Sequence, residues 1–450
     1  MRVLAIDVGS SSIKTAYCKN GRIKKILQIP VQTQFDGTKV VILASDLLCS
    51  FEKAIRSAMH EHKKLDAIAI DTFSPGLVGL DRSKNPILGC ITHQDRRSVA
   101  QAAIIEKYFG IQRCLELTGN RPFPGGIASS SLLWFKQRQS DLFKKLAYIG
   151  QTSSLLVHHL TGQWVIDPSQ AAFSGLYDSN KFNGWVDEFC KFIGVRVSQL
   201  PRPMFADQIA GKITATVAQR LGLPEGCPVL PGIVDTSAAV LSTDCRPGRL
   251  VHSTGSTDVL ALCLEKSHPA ADILSRPIGT GKKLPRRWLA VSTIAAAGST
   301  MKWMNKTFFS ELSTKRFHKL ADHLEDQMRI HVKTEAPSKY TKRAGVIFHP
   351  YLAGDRTSMD LKTGAFENLT LATEREEMLS AVIEALAQSS RERFMRLQRI
   401  HAIRKEIFTM GGQVSLANMM HRHWPGKWRF TAIENEAISG LVKLANAALS

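Results

Sequence analysis

Paired cysteines, long apolar runs and acidic residues are what this chain has least of. Its 8 cysteines are scattered singly, with no Cys-x-x-Cys spacing. Neither a disulfide framework nor a zinc site is indicated, and a reducing cytoplasm fits best. No apolar run approaches the roughly 18 residues of a membrane span. An apolar strand already begins by Val3, which leaves no room for a signal or transit peptide. Low-complexity tracts and short-period repeats are missing as well, which sets solenoids aside. Acidic residues number 39 against 59 Lys+Arg, a net charge of +20. So basic a balance suits either nucleic acid or small anionic metabolites. Local basic clusters stand at "KKLPRRW" (282–288) and "RERFMRLQRIHAIRKE" (391–406). In the second, Phe394, Leu397, Ile400 and Ile403 recur at helical spacing, which predicts an amphipathic helix with a solvated basic face. No nucleic-acid motif accompanies it, so neither nucleic acid nor membrane is expected as a partner.

What is present is 44% hydrophobic content over 450 residues, enough for two domains of about 200 residues each. The chain opens with "VLAIDVGSSSIKTAYCKNG" (3–21): a buried strand, an acid at its end, a Gly/Ser tip and a returning strand. Gly9 permits the tight turn, successive N–H groups at such a tip form an anion-binding concavity, and Asp7 is placed to hold a hydrated cation beside a phosphate. An ordinary hairpin turn uses the same residues. Strands and helices then alternate: "KLDAIAIDTFSPGLVGLD" (64–81) predicts strand, loop and strand, and "SVAQAAIIEKYF" (98–109) a helix. In "GLPEGCPVLPGIVDTSAAVLS" (222–242), Asp235 opens a small-residue helix. The alternation means α/β. Near residue 245 the pattern restarts. "LVHSTGSTDVLALCL" (250–264) repeats the opening design, and "EIFTMGGQVSLANMMHRHW" (406–424) predicts a strand, a Gly-Gly turn and a helix. Two hairpins of one design suggest a duplicated core, with domains at 1–245 and 246–450.

These segments together resemble the FGGY carbohydrate kinases, within the actin/hexokinase/heat-shock-70 ATPase fold, over nearly the whole chain. "AIDVGSSSIK" resembles the first phosphate loop of that family and "HSTGSTD" the second. "HQDRR" (93–97), "TGNRPFPGG", "SLLWFK" and "LTGQWVIDPSQAAFSGLYD" are similar to segments of its xylulokinase-like branch. "PYLAGDRTSMDLKTGAFENLTLAT" is similar to the family's P-Y-L-x-G-E-R-x-P stretch, and "MGGQVSLANMM" resembles its adenosine-binding motif. The resemblance implies two ribonuclease-H-like domains flanking a cleft for ATP, magnesium and sugar, in a cytoplasmic phosphotransferase; a homodimer is compatible with it. Asp7 would hold magnesium through water. Gly9, Ser10, Ser11, Ser12 and Lys14 would line the first loop, and Thr254, Gly255 and Ser256 the second. Gly298, Gly411, Gly412 and Gln413 would flank the nucleotide, and Asp235 would be the general base. A plain helix N-cap is the structural alternative for Asp235.

The sugar loop departs from the family. "DTFSPG" (71–76) puts Ser74 and Pro75 where xylulose kinases carry Met-His and glycerol kinases Arg-Glu, and Thr236 stands where those enzymes have Asn or Gln. Sugar contacts are therefore expected from Ser74, Gln94, Asp95, Arg97, Asp235 and Thr236, with Asp95 accepting from sugar hydroxyls; a surface ion pair is the alternative for Arg97. The expected acceptor is a pentulose such as D-xylulose. Another ketose or polyol, a sugar acid, or a non-catalytic sugar- or nucleotide-binding descendant stand as alternatives. "HEH" (60–62) and "HRH" (421–423) place their histidines at i, i+2, which point apart on a helix and do not predict a metal site.

Overall fold

The apolar run that opens the chain forms the strand Arg2–Val8, with Val3, Leu4, Ala5 and Ile6 all buried. Such a run belongs to a strand covered on both faces. Residues 1–334 and 345–450 are described by the structure, a computed structural model. They fold into two compact units: Met1–Pro247 with Cys263–Ala290 and Asn435–Ser450, and Gly248–Leu262 with Val291–Glu434.

In the first unit, Arg2–Val8 pairs antiparallel with Ser12–Lys19 and parallel with Ala67–Thr72. The short strand Ile233–Val234 runs parallel beside Ala67–Thr72, with Ile233 opposite Asp71. Parallel neighbours bring their C-terminal ends to one edge of the sheet, where open α/β sheets hold ligands. The outer strand Arg22–Pro30 alternates exposed and half-buried residues and carries Lys24 and Lys25, charges that blunt an edge against further pairing. Leu47, Phe51 and Ile55 of helix Ala44–Met59 are fully buried in the core beneath. A second sheet of this unit runs in the order Gln34–Asp36, Lys39–Ile42, Pro86–Thr92, Gly76–Leu80, Tyr148–Gln151.

The first unit's opening segment ends at Pro247, and residues 263–290 and 435–450 return to that unit. The C-terminal return has a clear cause. Helix Glu436–Leu449 buries Ile438, Leu441, Leu444 and Ala445 and packs on strands Arg2–Val8 and Ala67–Thr72 and on helix Asp235–Leu241. A Cβ at Gly440 would stand 1.8 Å from the Ala238 carbonyl oxygen, so the two helices touch at backbone level. Gly440→Ala is expected to lose about 1–3 kcal/mol, the usual penalty of overpacking. Urea unfolding of the two chains measures it.

In the second unit the hairpin Leu250–Thr254 and Asp258–Leu264 sits mid-sheet, between Trp288–Ile294 on one side and Glu406–Met410 followed by Arg429–Ala432 on the other. Helices Gly298–Phe308, Thr314–Thr334, Arg375–Ile400 and Val414–His421 accompany it. Of the basic stretch 391–406, residues up to Ile400 lie on helix Arg375–Ile400, while Ile403 falls beyond its end, and one of its arginines faces inward: Arg393 is buried. Among the described residues no helix is long and apolar enough to cross a membrane.

Candidate active site

Three carboxylates share one edge of the first unit's sheet. Asp7 ends the first strand, Asp71 sits opposite it in register on Ala67–Thr72, and Asp235 follows Val234 and opens helix Asp235–Leu241. Lys14 is the register partner of Asp7 across the hairpin, its Nζ 3.6 Å from Asp7 Oδ2. Burial pushes the Asp7 carboxyl up; Lys14 opposes this and Asp235 adds to it. Asp71 is fully buried and raised well above the usual carboxylate range, by burial first and then by Asp7 and Asp235. Neither Asp71 oxygen accepts a hydrogen bond from an N–H or hydroxyl among the described residues. Glu436 is pushed up too, by burial first. Among the described residues no three His, Cys, Asp or Glu side chains converge closely enough to hold a metal directly; a hydrated cation beside Asp7 and Asp71 would still relieve the repulsion among these acids.

Without that cation the Asp71 charge is costly, which gives a testable sign. Asp71→Asn should raise the melting temperature of the metal-free protein at neutral pH. A carboxyl whose folded pKa is raised weakens folding above its unfolded pKa near 3.8, and the penalty fades as protons bind on acidification. The advantage of Asp71→Asn should therefore shrink as pH falls through the raised folded pKa and fade toward about pH 4. A melting difference independent of pH would contradict it.

At the hairpin tip, Gly9 N–H donates to the Ser12 carbonyl at 2.9 Å, and the Ser10 and Ser11 carbonyls accept from Thr33 Oγ1 and Val31 N. The loop's carbonyls are thus tied inward, while the hydroxyls of Ser10, Ser11 and Ser12 bond to no described residue. The second unit's tip is built more tightly. Ser256 O accepts from Ala297 N and Ser299 N, and Thr254 O from Gln413 N. A Cβ at Gly298 would meet Gly255 O at 2.2 Å, and one at Gly411, whose φ is +93°, would meet Thr254 O at 2.4 Å. Only glycine fits at either place, so Thr254, Gly255, Ser256, Gly298, Gly411 and Gln413 converge as one surface, and Gly412 beside them faces open space. Thr254 itself is buried, with its hydroxyl bonded to His252 and Asp258 and its carbonyl to Gln413 N.

Those bonds belong to a network that the sequence pattern did not disclose. Asp258 Oδ1 lies 2.5 Å from His252 Nε2, Asp258 Oδ2 accepts from Arg393, and His252 Nδ1 meets His421 Nε2 at 2.7 Å. Burial alone would raise Asp258, but His252 and Arg393 outweigh it and hold the carboxyl far below the usual range. The available signal was the hairpin register, which sets Thr254 opposite Asp258 with His252 two residues back on the same face.

On the sugar side the expected contacts divide. Ser74 Oγ donates to Gln170 Oε1 at 2.6 Å, and Gln170 Nε2 donates to Thr72 Oγ1 and to the Ile233 carbonyl. Gln170, which lies in the segment "LTGQWVIDPSQAAFSGLYD" but was not among the expected contacts, thus ties the loop 71–76 to the strand that precedes Asp235. Thr236 donates from both N and Oγ1 to Asp235 Oδ1, at 2.5 and 2.9 Å, while Asp235 Oδ2 accepts from no described residue. Asp95 differs from expectation. It is fully buried and accepts from Val40 N, Arg97 N and the Arg97 guanidinium, so its lone pairs are committed within the chain. Arg97 lies over Trp134 at 4.8 Å. The "QDRR" segment therefore closes on itself because a turn brings residues two apart into chelating distance; Gln94, half-buried, keeps its side-chain amide unengaged among the described residues.

Residues 2–242 match the model of the "FGGY family of carbohydrate kinases, N-terminal domain", and residues 250–422 match its C-terminal counterpart. The chain is 23% identical over 419 residues to a xylulose kinase of Staphylococcus xylosus, covering 91% of this chain and 82% of that one. It is 22% identical to a gluconokinase of Bacillus subtilis, covering 85% and 74%. Among solved structures, ligand-bound xylulose kinase from Lactobacillus acidophilus superposes with a TM-score of 0.83 at 18% identity, covering 100% of this chain and 89% of that one, a likeness of fold.

Proposed function

Because this chain belongs to the FGGY family of carbohydrate kinases, a phosphotransferase family with alcohol acceptors, we propose that it phosphorylates a pentulose such as D-xylulose, with ATP as donor and Mg2+ as cofactor. The observation that carries the reading is the half-clamped Asp235: Thr236 fixes Oδ1 and leaves Oδ2 open. Phosphoryl transfer is mainly positioning and charge neutralisation. The acceptor hydroxyl must still lose its proton, and an oriented carboxylate at a strand end is suited to take it. In this reading Oδ2 receives that proton while Lys14 and the Ser10–Ser12 hydroxyls hold phosphate oxygens. Magnesium, when bound, would neutralise charge on the transferring group, and Asp7 is the residue that would hold it through water, with Asp71 beside it. All 8 cysteines are free thiols, in keeping with a cytoplasmic enzyme.

A second reading, a sugar acid as acceptor, is favoured by Arg276, a buried cation near the base. ADP release measured with D-xylulose, D-ribulose, D-gluconate and glycerol tests both. D-Xylulose should give the highest kcat/KM; a higher value for another member replaces the pentulose and leaves the kinase reading intact.

A further inference from the structure

Arg276 lies in the strand Leu274–Pro277 and is buried. Its Nη1 donates to Ser237 Oγ at 2.5 Å, and its guanidinium stands 5.7 Å from the Phe173 ring. Ser237 is two residues past the proposed base on the same helix. The remaining N–H groups of Arg276 donate to no described residue, and no described carboxylate lies within ion-pair distance of it. Asp167, whose field reaches Arg276 as that of Asp235 does, spends its oxygens on Ser169 N, Ser169 Oγ and Gln170 N. Burial pushes Arg276 down to about 10, while the fields of Asp235 and Asp167 oppose the shift, so at neutral pH the side chain is a cation. A buried cation with one neutral partner is a fork of donors still lacking its acceptor.

We propose that Arg276 binds the carbonyl or carboxylate oxygen of the acceptor, so that the site selects ketoses and sugar acids over alditols. The inference rests on the reading of Asp235 as the base of a sugar kinase. Two observations put the guanidinium on the acceptor side. It is bonded to the helix that carries Asp235. Its strand also packs on helix Pro168–Ala172, whose Gln170 holds Ser74 and Thr72 of the sugar loop. The phosphate loop has its own cation in Lys14. A planar guanidinium matches the two lone-pair directions of an sp² oxygen or the two oxygens of a carboxylate, whereas an alditol hydroxyl is a poorer acceptor and leaves the charge less well paired. A site built for a hydrogen-bonding group rejects the analogue lacking it by a large factor.

D-Xylulose, D-xylonate and xylitol share one five-carbon skeleton and carry a C2 carbonyl, a C1 carboxylate or neither, so they form the test. Each is titrated calorimetrically into the full chain saturated with magnesium and a non-hydrolysable ATP analogue, and into its Arg276→Met and Arg276→Lys variants. The better of xylulose and xylonate should bind at least about tenfold more tightly than xylitol. Arg276→Met should erase that preference and leave xylitol and nucleotide affinities unchanged; Arg276→Lys, which keeps charge but not the fork, should retain part of it. Tighter xylonate that weakens in salt identifies the carboxylate as the ligand, and tighter xylulose with little salt dependence the carbonyl. Xylitol binding as well as the other two overturns the proposal, as does a preference that survives in both variants. So does loss of nucleotide affinity in place of sugar affinity. If none of the three binds, the series D-fructose, D-gluconate and D-glucitol replaces it, and absence of binding by ketose and acid there overturns the proposal as well. ADP release with any acceptor reports separately on the kinase reading.

Discussion

Asp235→Asn will turn over its sugar about 10²-fold or more slowly than the native chain, the usual contribution of a general base, with an unchanged melting transition and unchanged nucleotide affinity. The substitution keeps size and shape, and the amide oxygen can still accept from Thr236 N and Oγ1 as Asp235 Oδ1 does. What disappears is the open Oδ2 as a proton acceptor. A KM for sugar near that of the native chain, with the loss confined to kcat, separates proton removal from binding. Turnover within about threefold of native would remove Asp235 from the chemistry, since that lies far below the range expected of a base.

Arg393→Met will destabilise the protein by about 3–5 kcal/mol, the cost of stranding one member of a buried ion pair. Asp258 is fully buried and depends on Arg393 and His252 for its charge. Chemical denaturation measures the loss. The double variant Asp258→Asn with Arg393→Met should recover much of it, because the stranded charge is gone. Acid offers a second check. A carboxyl held low in the fold contributes stability above its unfolded pKa near 3.8 and loses that contribution as pH falls. His421 is pushed down to about 2 by burial and by His252, so from about pH 6.5 downward unfolding takes up a proton that the fold refuses. Both terms have one sign: this network weakens on acidification, and a His421→Phe chain should show a flatter stability profile between pH 7 and 5 than the native chain.

Local pattern by itself determined the elements that carry the phosphate loops. A buried apolar run, a Gly/Ser tip and a returning strand dictate a hairpin wherever they occur, and both hairpins lie where residues 3–21 and 250–264 put them. The helix opened by Asp235 and the Gly-Gly turn before Val414–His421 follow from the same short-range rules. Periodicity marked 391–406 as helical, and the helix runs only to Ile400. It did not say which arginine of that stripe turns inward, because an inward charge is decided by its partner, and Asp258 lies 135 residues away.

Tertiary structure decided the rest. The pairing of Asp7 with Asp71 is a register between strands more than 60 residues apart, so an acid that looked like ordinary strand sequence became a buried carboxylate beside the metal-binding candidate. Asp95 went the other way: its motif pointed to the sugar, but a turn let Arg97 and Val40 consume its oxygens first. Gln170 lies in a segment that resembles the family's without its role being read from it, and Arg276 in a segment with no motif; both acquire their places only when helix Pro168–Ala172 packs against strands Leu274–Pro277 and Ile233–Val234. Hydrophobic spacing is written residue by residue along the chain, whereas the pairing of buried polar groups is a property of what packing brings within hydrogen-bond reach.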